Sequence, residues 1–227
     1  MNDHKNLQNM RTMRYFIEST HKIIDTEGIE NVTVRKVADL AGYNVATLYN
    51  YFNNLNHLIF FASLRCLKKY AITLPEYTKG ISEPLALYLK IWECFNKFAF
   101  LDPHAYQLIF CGDHGADYNQ SIKLYYDIFP EELPSDGLRF FPMLLENDLH
   151  KRDYANLKNA AVEGLLSDDQ LLDISSINSM IFSGMLSRFL SSNNTLTAEE
   201  AAKITTNYQA HTLIGYGAPE NLVKDFI

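Results

Sequence analysis

The chain has 227 residues, 47% of them hydrophobic, and a formal net charge of −7. No run of about 18 uncharged apolar residues is present, so we expect no membrane-spanning helix, and the first residues lack the apolar centre of a signal peptide. The cysteines, Cys66, Cys94 and Cys111, have no CxxC spacing, which argues against a disulfide framework. We therefore expect a cytoplasmic protein, without a membrane partner, metal or cofactor.

The charge is divided unevenly along the chain. Residues 1–70 contain nine Lys and Arg and six Asp and Glu, whereas residues 71–227 contain eleven and twenty-one. The opposite signs, +3 and −10, indicate different partners for the two parts. An excess of +3 is too small to establish nucleic-acid binding by itself.

Apolar residues recur at helical spacing along the chain, and no segment has the sustained alternation of a strand. The predicted fold is all-α, with nine or ten helices. The predicted helices span residues 13–27, 34–41, 45–52, about 55–73, 84–100, 103–111, 118–129, 137–166 (one helix or two), 168–191 and 198–214. Their starts follow from residues that can cap a helix: Thr33, Asn44, Asp102, Ser167 with Gln170, and Thr197 with Glu200.

The segment over residues 33–52, TVRKVADLAGYNVATLYNYF, has the spacing of a helix-turn-helix. Ala38 is small enough for two helices to cross closely, Gly42 tolerates the positive φ of a turn, and Leu48 can fill the angle between the helices. An ordinary corner between two helices has similar spacing. The segment alone therefore leaves DNA binding open.

A longer pattern surrounds this segment. It runs from the first helix through Gly28, Thr33, Val37-Ala38, Ala41-Gly42 and Thr47-Leu48-Tyr49 to Tyr51-Phe52 and Leu58. This pattern resembles the N-terminal domain of the TetR family of transcriptional regulators. The resemblance implies a helix-turn-helix DNA-binding domain over 1–54 and a ligand-binding and dimerisation domain over 55–227, connected by the helix over about 55–73. It also implies a homodimer on a near-palindromic double-stranded operator, released by a small apolar or aromatic effector.

Ten residues are candidates for DNA contacts: Thr33, Arg35, Lys36, Asn44, Val45, Ala46, Thr47, Tyr49, Asn50 and Tyr51. Thr33 lies at a predicted helix N-terminus, where its hydroxyl and the nearby amides can meet a phosphate. Arg35 and Lys36 are exposed by their spacing and can bind a phosphate through their charge.

The predicted recognition helix offers groups that can distinguish bases. Asn44 and Asn50 can pair with adenine, and Val45 or Ala46 can pack on a thymine methyl. The resemblance implies that the hydroxyls of Tyr49 and Tyr51 reach phosphates. Packing inside the three-helix unit is the alternative for both tyrosines.

Several positions depart from the family pattern. Asn44 replaces the usual serine and can cap a helix equally well, and Ala46 replaces a common glycine. The segment Asn53–Asn56 contains no cation where the family often has a lysine, and His57 would substitute only when protonated. An alternative function is therefore a helical small-molecule sensor or scaffold with weakened DNA binding.

The C-terminal part offers residues for a pocket and for a dimer. Aromatic side chains could line a ligand pocket, with a simple core as the alternative for each: Trp92, Phe95, Tyr106, Phe110, Tyr125 and Phe182. Small and apolar residues of the last two helices predict a two-fold, four-helix interface: Ile174, Ile177, Ile181, Gly184, Met185, Ala201 and Thr205.

The sequence offers no convergent catalytic set, so we predict that the protein is not an enzyme. The stretch CGDHGAD, over 111–117, favours a polar loop over a metal site. His150 and Asp153 favour a solvated helix face over acid–base chemistry. The predicted function is therefore a DNA-binding transcriptional regulator, and more specifically a repressor.

Overall fold

The computed structural model describes residues 2–112, 121–132, 141–146, 148–160 and 166–227. Regular structure in these ranges is helical, without a strand, so the all-α prediction is confirmed. The chain forms two compact units: unit 1 is Met1–Arg65 with His114–Leu133, and unit 2 is Cys66–Asp113 with Pro134–Ile227. The functional boundary between residues 54 and 55 stays a prediction. None of the described helices is long and apolar enough to cross a membrane.

The helices are numbered in chain order through the described ranges: α1 (Asn2–Glu27), α2 (Val34–Ala41), α3 (Val45–Leu48), α4 (Leu55–Ser63), α5 (Leu67–Tyr77), α6 (Pro84–Leu101), α7 (Pro103–Phe110), α8 (Ser121–Ile128), α9 (Phe141–Leu144), α10 (Leu149–Ala160), α11 (Asp168–Phe189), α12 (Ala198–Gly215) and α13 (Glu220–Val223). Short 3₁₀ turns occupy Ile29–Asn31, Leu64–Cys66, Pro130–Glu132 and Lys224–Phe226. The ends of α6, α7, α11 and α12 lie close to the predicted residues.

Three predicted helices differ from the structure. The first, predicted over 13–27, begins at Asn2. The third helix, predicted over 45–52, ends at Leu48 because the amides of Asn50 and Tyr51 donate to carbonyls only three residues earlier, at 3.2 and 3.0 Å. The prediction of one helix over about 55–73 is also wrong: α4 ends at Ser63, and a 3₁₀ turn precedes α5. The changes in the third and fourth helices occur at neither a glycine nor a proline, so no helix-breaking residue marks them.

The predicted caps are present with one exception. In the capping box that opens α11, the Gln170 amide donates to Ser167 Oγ at 3.3 Å, and the Ser167 amide donates to Gln170 Oε1 at 2.8 Å. Thr197 and Glu200 form the same arrangement at α12. Asp102 makes no side-chain cap at α7, and its backbone amide donates to the Phe98 carbonyl at the end of α6.

Aromatic packing holds α1, α3 and α4 together in unit 1. The ring centroid of Phe16 lies 6.2 Å from that of Phe52, and Phe52 lies 5.6 Å from Phe61. Leu48 is fully buried, so its predicted place in the core, like that of Phe52, is confirmed. This core fixes the position of α3 within unit 1.

Helix α6 lies at the centre of unit 2. It packs against α5, α10 and α12, and its buried residues occur on several sides of the helix. Tyr88, Trp92 and Phe95 are among them. The sequence predicts this position, because the helix is apolar on nearly all sides.

Candidate functional site

Helices α2 and α3 form a helix-turn-helix around Gly42. The amide of Lys36 donates to Thr33 Oγ1 at 3.3 Å, which caps the start of α2. Gly42 has φ 77° and ψ 27°, the left-handed conformation that a glycine adopts without strain. The amide of Tyr43 then donates to the carbonyl of Ala38 at 3.0 Å. Ala38 is buried at the crossing, as its small size predicts.

The recognition helix α3 is capped by one of its own candidate DNA-reading residues. Asn44 Oδ1 accepts from the amide of Thr47 at 2.8 Å and from its hydroxyl at 2.9 Å. A bidentate contact of Asn44 with adenine would break this cap. The Asn50 side chain is exposed and has no hydrogen bond to a described residue, and Val45 and Ala46 are exposed as well. Of the two candidate asparagines, Asn50 is therefore the one without a hydrogen bond to a described residue.

The two tyrosines have different surroundings. Tyr49 is 52% exposed. Tyr51 is half-buried, with its hydroxyl 3.5 Å from Asn9 Oδ1 and its ring centroid 6.5 Å from that of Phe16. The packing alternative thus fits Tyr51, whereas Tyr49 offers its hydroxyl to solvent.

The cations of this face are not equivalent. Arg35 is exposed and has no ion-pair partner in the described ranges. Lys36 is also exposed, but its Nζ lies 2.6 Å from Glu27 Oε2 and donates to the carbonyl of Asn31 at 3.2 Å. A phosphate would have to compete with Glu27 for Lys36, so Arg35 is the more available positive charge.

His57 does not replace the lysine that the family pattern often has near residue 55. Its ring is buried, with Nδ1 3.3 Å from the Asn53 amide and Nε2 3.2 Å from Ser121 Oγ. Leu55 at the start of α4 is half-buried. The idea that a protonated His57 contacts a phosphate is therefore wrong.

Five of the six predicted pocket residues come together in unit 2. The ring of Phe95 is the centre of this group, with centroid distances of 5.5 Å to Trp92, 5.3 Å to Tyr106, 5.1 Å to Phe110 and 5.0 Å to Phe182. We call these residues the aromatic cluster. Their rings pack on one another as a core does, and two of them, Trp92 and Phe95, also line a cavity.

Tyr125 is the sixth predicted pocket residue and belongs to unit 1. Its ring centroid lies 4.8 Å from that of Phe129, and its hydroxyl donates to Glu132 Oε2 at 2.6 Å. Tyr125 is therefore part of the core of unit 1 and not of the aromatic cluster.

Two charged neighbours on α10 are buried beside the aromatic cluster. Arg152 is 4% exposed and Asp153 is 3% exposed, so the prediction of a solvated face is wrong for Asp153. Asp153 accepts from Trp92 Nε1 at 2.6 Å and from the Tyr88 hydroxyl at 3.0 Å. Burial raises the pKa of Asp153 to about 8, although these two hydrogen bonds and the charge of Arg152 oppose the rise. His150, on the same helix, is half-buried and lies 2.9 Å from Ser175 Oγ through its Nδ1.

Arg152 contacts rings instead of acceptors. Its guanidinium carbon lies 5.4, 5.2 and 5.3 Å from the ring centroids of Tyr70, Phe95 and Phe110. Its two terminal nitrogens have no hydrogen-bond partner among the described residues, and the hydroxyls of Tyr70 and Tyr106 are likewise buried without one. A cavity of about 20 Å³, which is room for about one water molecule, is lined by both Arg152 and Asp153.

A periodic signal could have revealed these residues. Leu149, Arg152, Asp153, Asn156 and Leu157 follow the i, i+3, i+4, i+7, i+8 spacing of one helix face. Both leucines are buried, so the charged pair between them is buried with them. Because Arg152 and Asp153 are charged, the spacing was not recognised as that of a buried helix face.

The predicted dimer residues divide into two groups. Four are buried inside unit 2: Ile174, Met185, Ala201 and Thr205. The other three keep some exposure: Ile177, Ile181 and Gly184. Prediction also missed large exposed apolar side chains on the same helices, namely Leu172, Met180 and Tyr208, of which Met180 is 65% exposed. Exposed apolar area is therefore present on α11 and α12, in part at positions other than those predicted.

No group of three His, Cys, Asp or Glu residues within the described ranges could hold a metal ion. Asp113, His114 and Asp117 of the CGDHGAD stretch lie outside those ranges. Cys111 is exposed, with its sulfur 3.6 Å from Ser183 Oγ.

Comparison with known proteins gives a match for the helix-turn-helix region. Residues 16–60 match the family described as bacterial regulatory proteins, tetR family. Over 121 residues the chain is 22% identical to the HTH-type transcriptional regulator SAB2452 of Staphylococcus aureus (strain bovine RF122 / ET3-1). That match covers 51% of this chain and 65% of the relative, slightly less than two thirds of its length.

Solved structures share the fold at low sequence identity. RolR in complex with resorcinol has a TM-score of 0.62 at 13% identity, over 97% of this chain and 95% of RolR. RolR without ligand has a TM-score of 0.56 at 15% identity, over 93% and 94% of the two chains. The fatty acid degradation regulator FadR from Bacillus halodurans has a TM-score of 0.50 at 11% identity, over 91% and 96%.

Proposed function

We propose that the chain is a transcriptional regulator of the TetR family, whose model matches residues 16–60. In this proposal it is a cytoplasmic repressor, a homodimer released from its operator by a small molecule bound in unit 2. The observation that carries DNA binding is the exposed face that the Gly42 turn builds from α2 and α3. On that face Arg35, Tyr49 and Asn50 are exposed. Lys36 is paired with Glu27, Asn44 is bonded to Thr47, and Tyr51 packs on α1.

The candidate contacts have different roles. Thr33, Arg35 and Tyr49 would hold the backbone phosphates and so position the protein without reading sequence. Asn50 would read a base edge in the major groove, and Val45 would pack on a thymine methyl. Specificity would therefore depend mainly on α3, and affinity mainly on the start of α2.

The homodimer is supported by exposed apolar side chains on α11 and α12. Leu172, Met180 and Tyr208 lose contact with water if a second copy packs on these helices. Because a two-fold interface uses the same surface on both copies, two pairs of helices would form a four-helix bundle. Such a dimer would bind two half-sites about one turn of DNA apart.

Release by a small molecule would be a population shift. A ligand that binds one conformation of the dimer better than another can lower operator affinity only by the difference between those two affinities. The aromatic cluster and the cavity beside it are the internal features of unit 2 that support ligand binding. No catalytic step is required.

Fluorescence anisotropy with DNA from upstream of the protein's own gene tests this function. Ligand-free protein should bind one sequence selectively, with an affinity that falls as salt rises. Asn50→Ala should reduce the preference among sequences, whereas Arg35→Ala should weaken all sequences alike and lower the salt slope by about 2 per dimer. Binding without selectivity or salt dependence would rule the function out.

A second candidate is a small-molecule sensor or scaffold with weakened DNA binding. It is supported by the pairing of Lys36 with Glu27 and by the absence of a cation at residues 53–57. Under this function, DNA affinity at physiological salt would stay at the level of non-specific binding, with a Kd of about 10⁻⁴–10⁻⁶ M. The same anisotropy titration separates the two candidates.

A further inference from the structure

Arg152 is a buried cation beside the cavity of unit 2. Its terminal nitrogens make no hydrogen bond within the described part of the chain, although the side chain lies among the rings of Tyr70, Phe95 and Phe110. Contacts with ring faces offset only part of the cost of taking a guanidinium out of water. An acceptor placed at these nitrogens would therefore be bound strongly.

Asp153 does not supply that acceptor. Its two oxygens already accept from Trp92 and Tyr88, and among the described residues it makes no hydrogen bond with Arg152. Burial also raises the pKa of Asp153 to about 8, which favours the neutral acid near neutral pH. Arg152 therefore keeps a net positive charge beside the cavity.

Two tyrosine hydroxyls add to the unused donors. The hydroxyls of Tyr70, on α5, and Tyr106, on α7, are both buried without a hydrogen-bond partner. Their rings lie 5.6 and 5.3 Å from that of Phe95, on whose face Arg152 also rests. Burial raises the pKa of Tyr70 to about 12, so its hydroxyl stays protonated and can donate. Three elements thus bring donors toward one region of unit 2.

The cavity at this region has both a polar and an apolar wall. Its volume of about 20 Å³ holds about one water molecule, which is close to the space that one small polar group needs. Ile91, Met143 and Leu149 form apolar parts of the wall, and Met143 is an adaptable side chain that can move aside. A ligand with one anionic group and an apolar body would match both walls.

We propose that unit 2 binds a small monocarboxylic acid whose carboxylate accepts hydrogen bonds from Arg152 and from the Tyr70 hydroxyl. A guanidinium matches a carboxylate with two parallel hydrogen bonds. A single negative charge balances the single charge of Arg152, whereas a phosphate dianion would leave one charge buried without compensation. The assignment rests on the proposed function, because it names the chemical class of the effector.

Isothermal titration calorimetry of the full chain tests the carboxylate. Sodium benzoate and sodium propionate are titrated against their neutral amides, benzamide and propionamide. We expect at least one acid to bind, and its amide to bind at least about 30-fold more weakly because the buried charge pair is lost. Equal affinity for an acid and its amide, or no binding by either acid, would overturn the proposal.

Arg152→Met tests the cation, with Lys151→Met as the matched control. Both substitutions remove one positive charge from α10, but Lys151 is exposed. Arg152→Met should lose at least about 30-fold in affinity for the acid, whereas Lys151→Met should bind as the unmodified chain does. An unchanged affinity in Arg152→Met would place the acid elsewhere and contradict the proposal.

Folding of the variant is checked independently. Removing an uncompensated buried charge should leave the thermal transition of Arg152→Met unchanged or raise it. If that variant unfolds instead, Arg152→Lys keeps the charge but offers no planar pair of donors. An intermediate acid affinity in Arg152→Lys supports the proposal, and full affinity refutes the bidentate contact.

Operator binding in parallel separates this inference from the proposed function. An acid that binds at Arg152 but leaves operator affinity unchanged supports the site and contradicts release by that ligand. Selective operator binding in a protein that binds no carboxylate contradicts the site alone.

Discussion

The candidate DNA-binding face of unit 1 and the Arg152 cavity of unit 2 use polar groups in opposite ways. On the face, Asn50 and Arg35 are exposed, so water satisfies them whether or not DNA is present. In the cavity, the terminal nitrogens of Arg152 and the hydroxyl of Tyr70 are buried without a hydrogen-bond partner in the described part of the chain. Exposed polar groups are common and cost little, whereas buried unpaired ones are rare and costly. Burial therefore makes the cavity more informative about chemistry, although the face was easier to recognise.

The largest effect is expected from a change at Phe95, the ring at the centre of the aromatic cluster. Phe95→Ala should lower the free energy of unfolding by about 3–5 kcal/mol, because it opens a cavity where four other aromatic rings meet. Urea denaturation measures the change. Phe98→Ala is the control, since Phe98 is only half-buried on the same helix and should cost less. Equal losses would show that the aromatic cluster is not the centre of the core.

The next effect is a dependence of protein stability on pH, which we expect from the buried Asp153 of unit 2. The pKa of Asp153 is raised to about 8 in the folded protein, so the folded state holds its proton more tightly than the unfolded state does. This contribution to stability is complete below about pH 4 and is lost as pH rises through about 8, by a few kcal/mol in total. Asp153→Asn should remove that slope in denaturation curves, whereas exposed Asp169→Asn should keep it. If stability still falls with pH in Asp153→Asn, another titrating group causes the pH dependence.

A smaller effect distinguishes the turn of unit 1 from a helix interior. Gly42→Ala should destabilise the protein by about 1–2 kcal/mol, because alanine is strained at φ 77°. An added Cβ would meet no atom within 4 Å, so the cost is conformational. Gly184→Ala, inside α11 and equally open, should instead stabilise the helix by up to about 1 kcal/mol. Thermal melts that moved in the same direction for both variants would refute the distinction.

The smallest effect is expected on operator affinity, from the ion pair that holds Lys36 on the candidate DNA-binding face. Glu27→Gln frees Lys36 and should raise operator affinity about fivefold, roughly the value of an exposed ion pair converted to a phosphate contact. Glu30→Gln removes the same charge nearby without freeing Lys36, so its increase should be smaller. Anisotropy titrations at two salt concentrations check this. Identical gains would mean that only net charge matters.

The sequence was sufficient to predict structural features that depend on residues close together in the chain. Thr33 caps a helix three residues away, Gly42 sets a turn by its own φ, and the spacing from Ala38 to Leu48 determines how two helices cross. Each of these follows from neighbours along the chain. The all-α fold follows similarly from periodic spacing.

Sequence was insufficient where contacts are distant or where charge hides a pattern. The early end of α3 accompanies the packing of Phe52 on Phe16, which lies far back along the chain. The assignment of Tyr125 to unit 1 depends on contacts within that unit that no local rule specifies. Asp153 follows a buried stripe, yet a carboxylate in a helix is ordinarily read as solvent-facing.

Trp92 gives unit 2 a spectroscopic property. It is the one tryptophan among the 227 residues, and its indole Nε1–H donates to Asp153 at 2.6 Å while its ring lies beside Phe95. All tryptophan emission of the protein therefore comes from the wall of the cavity. Ionisation of Asp153, or a carboxylate beside it, changes the electric field at the indole and should shift the emission wavelength. The intact chain can thus be followed optically at this cavity without an attached dye.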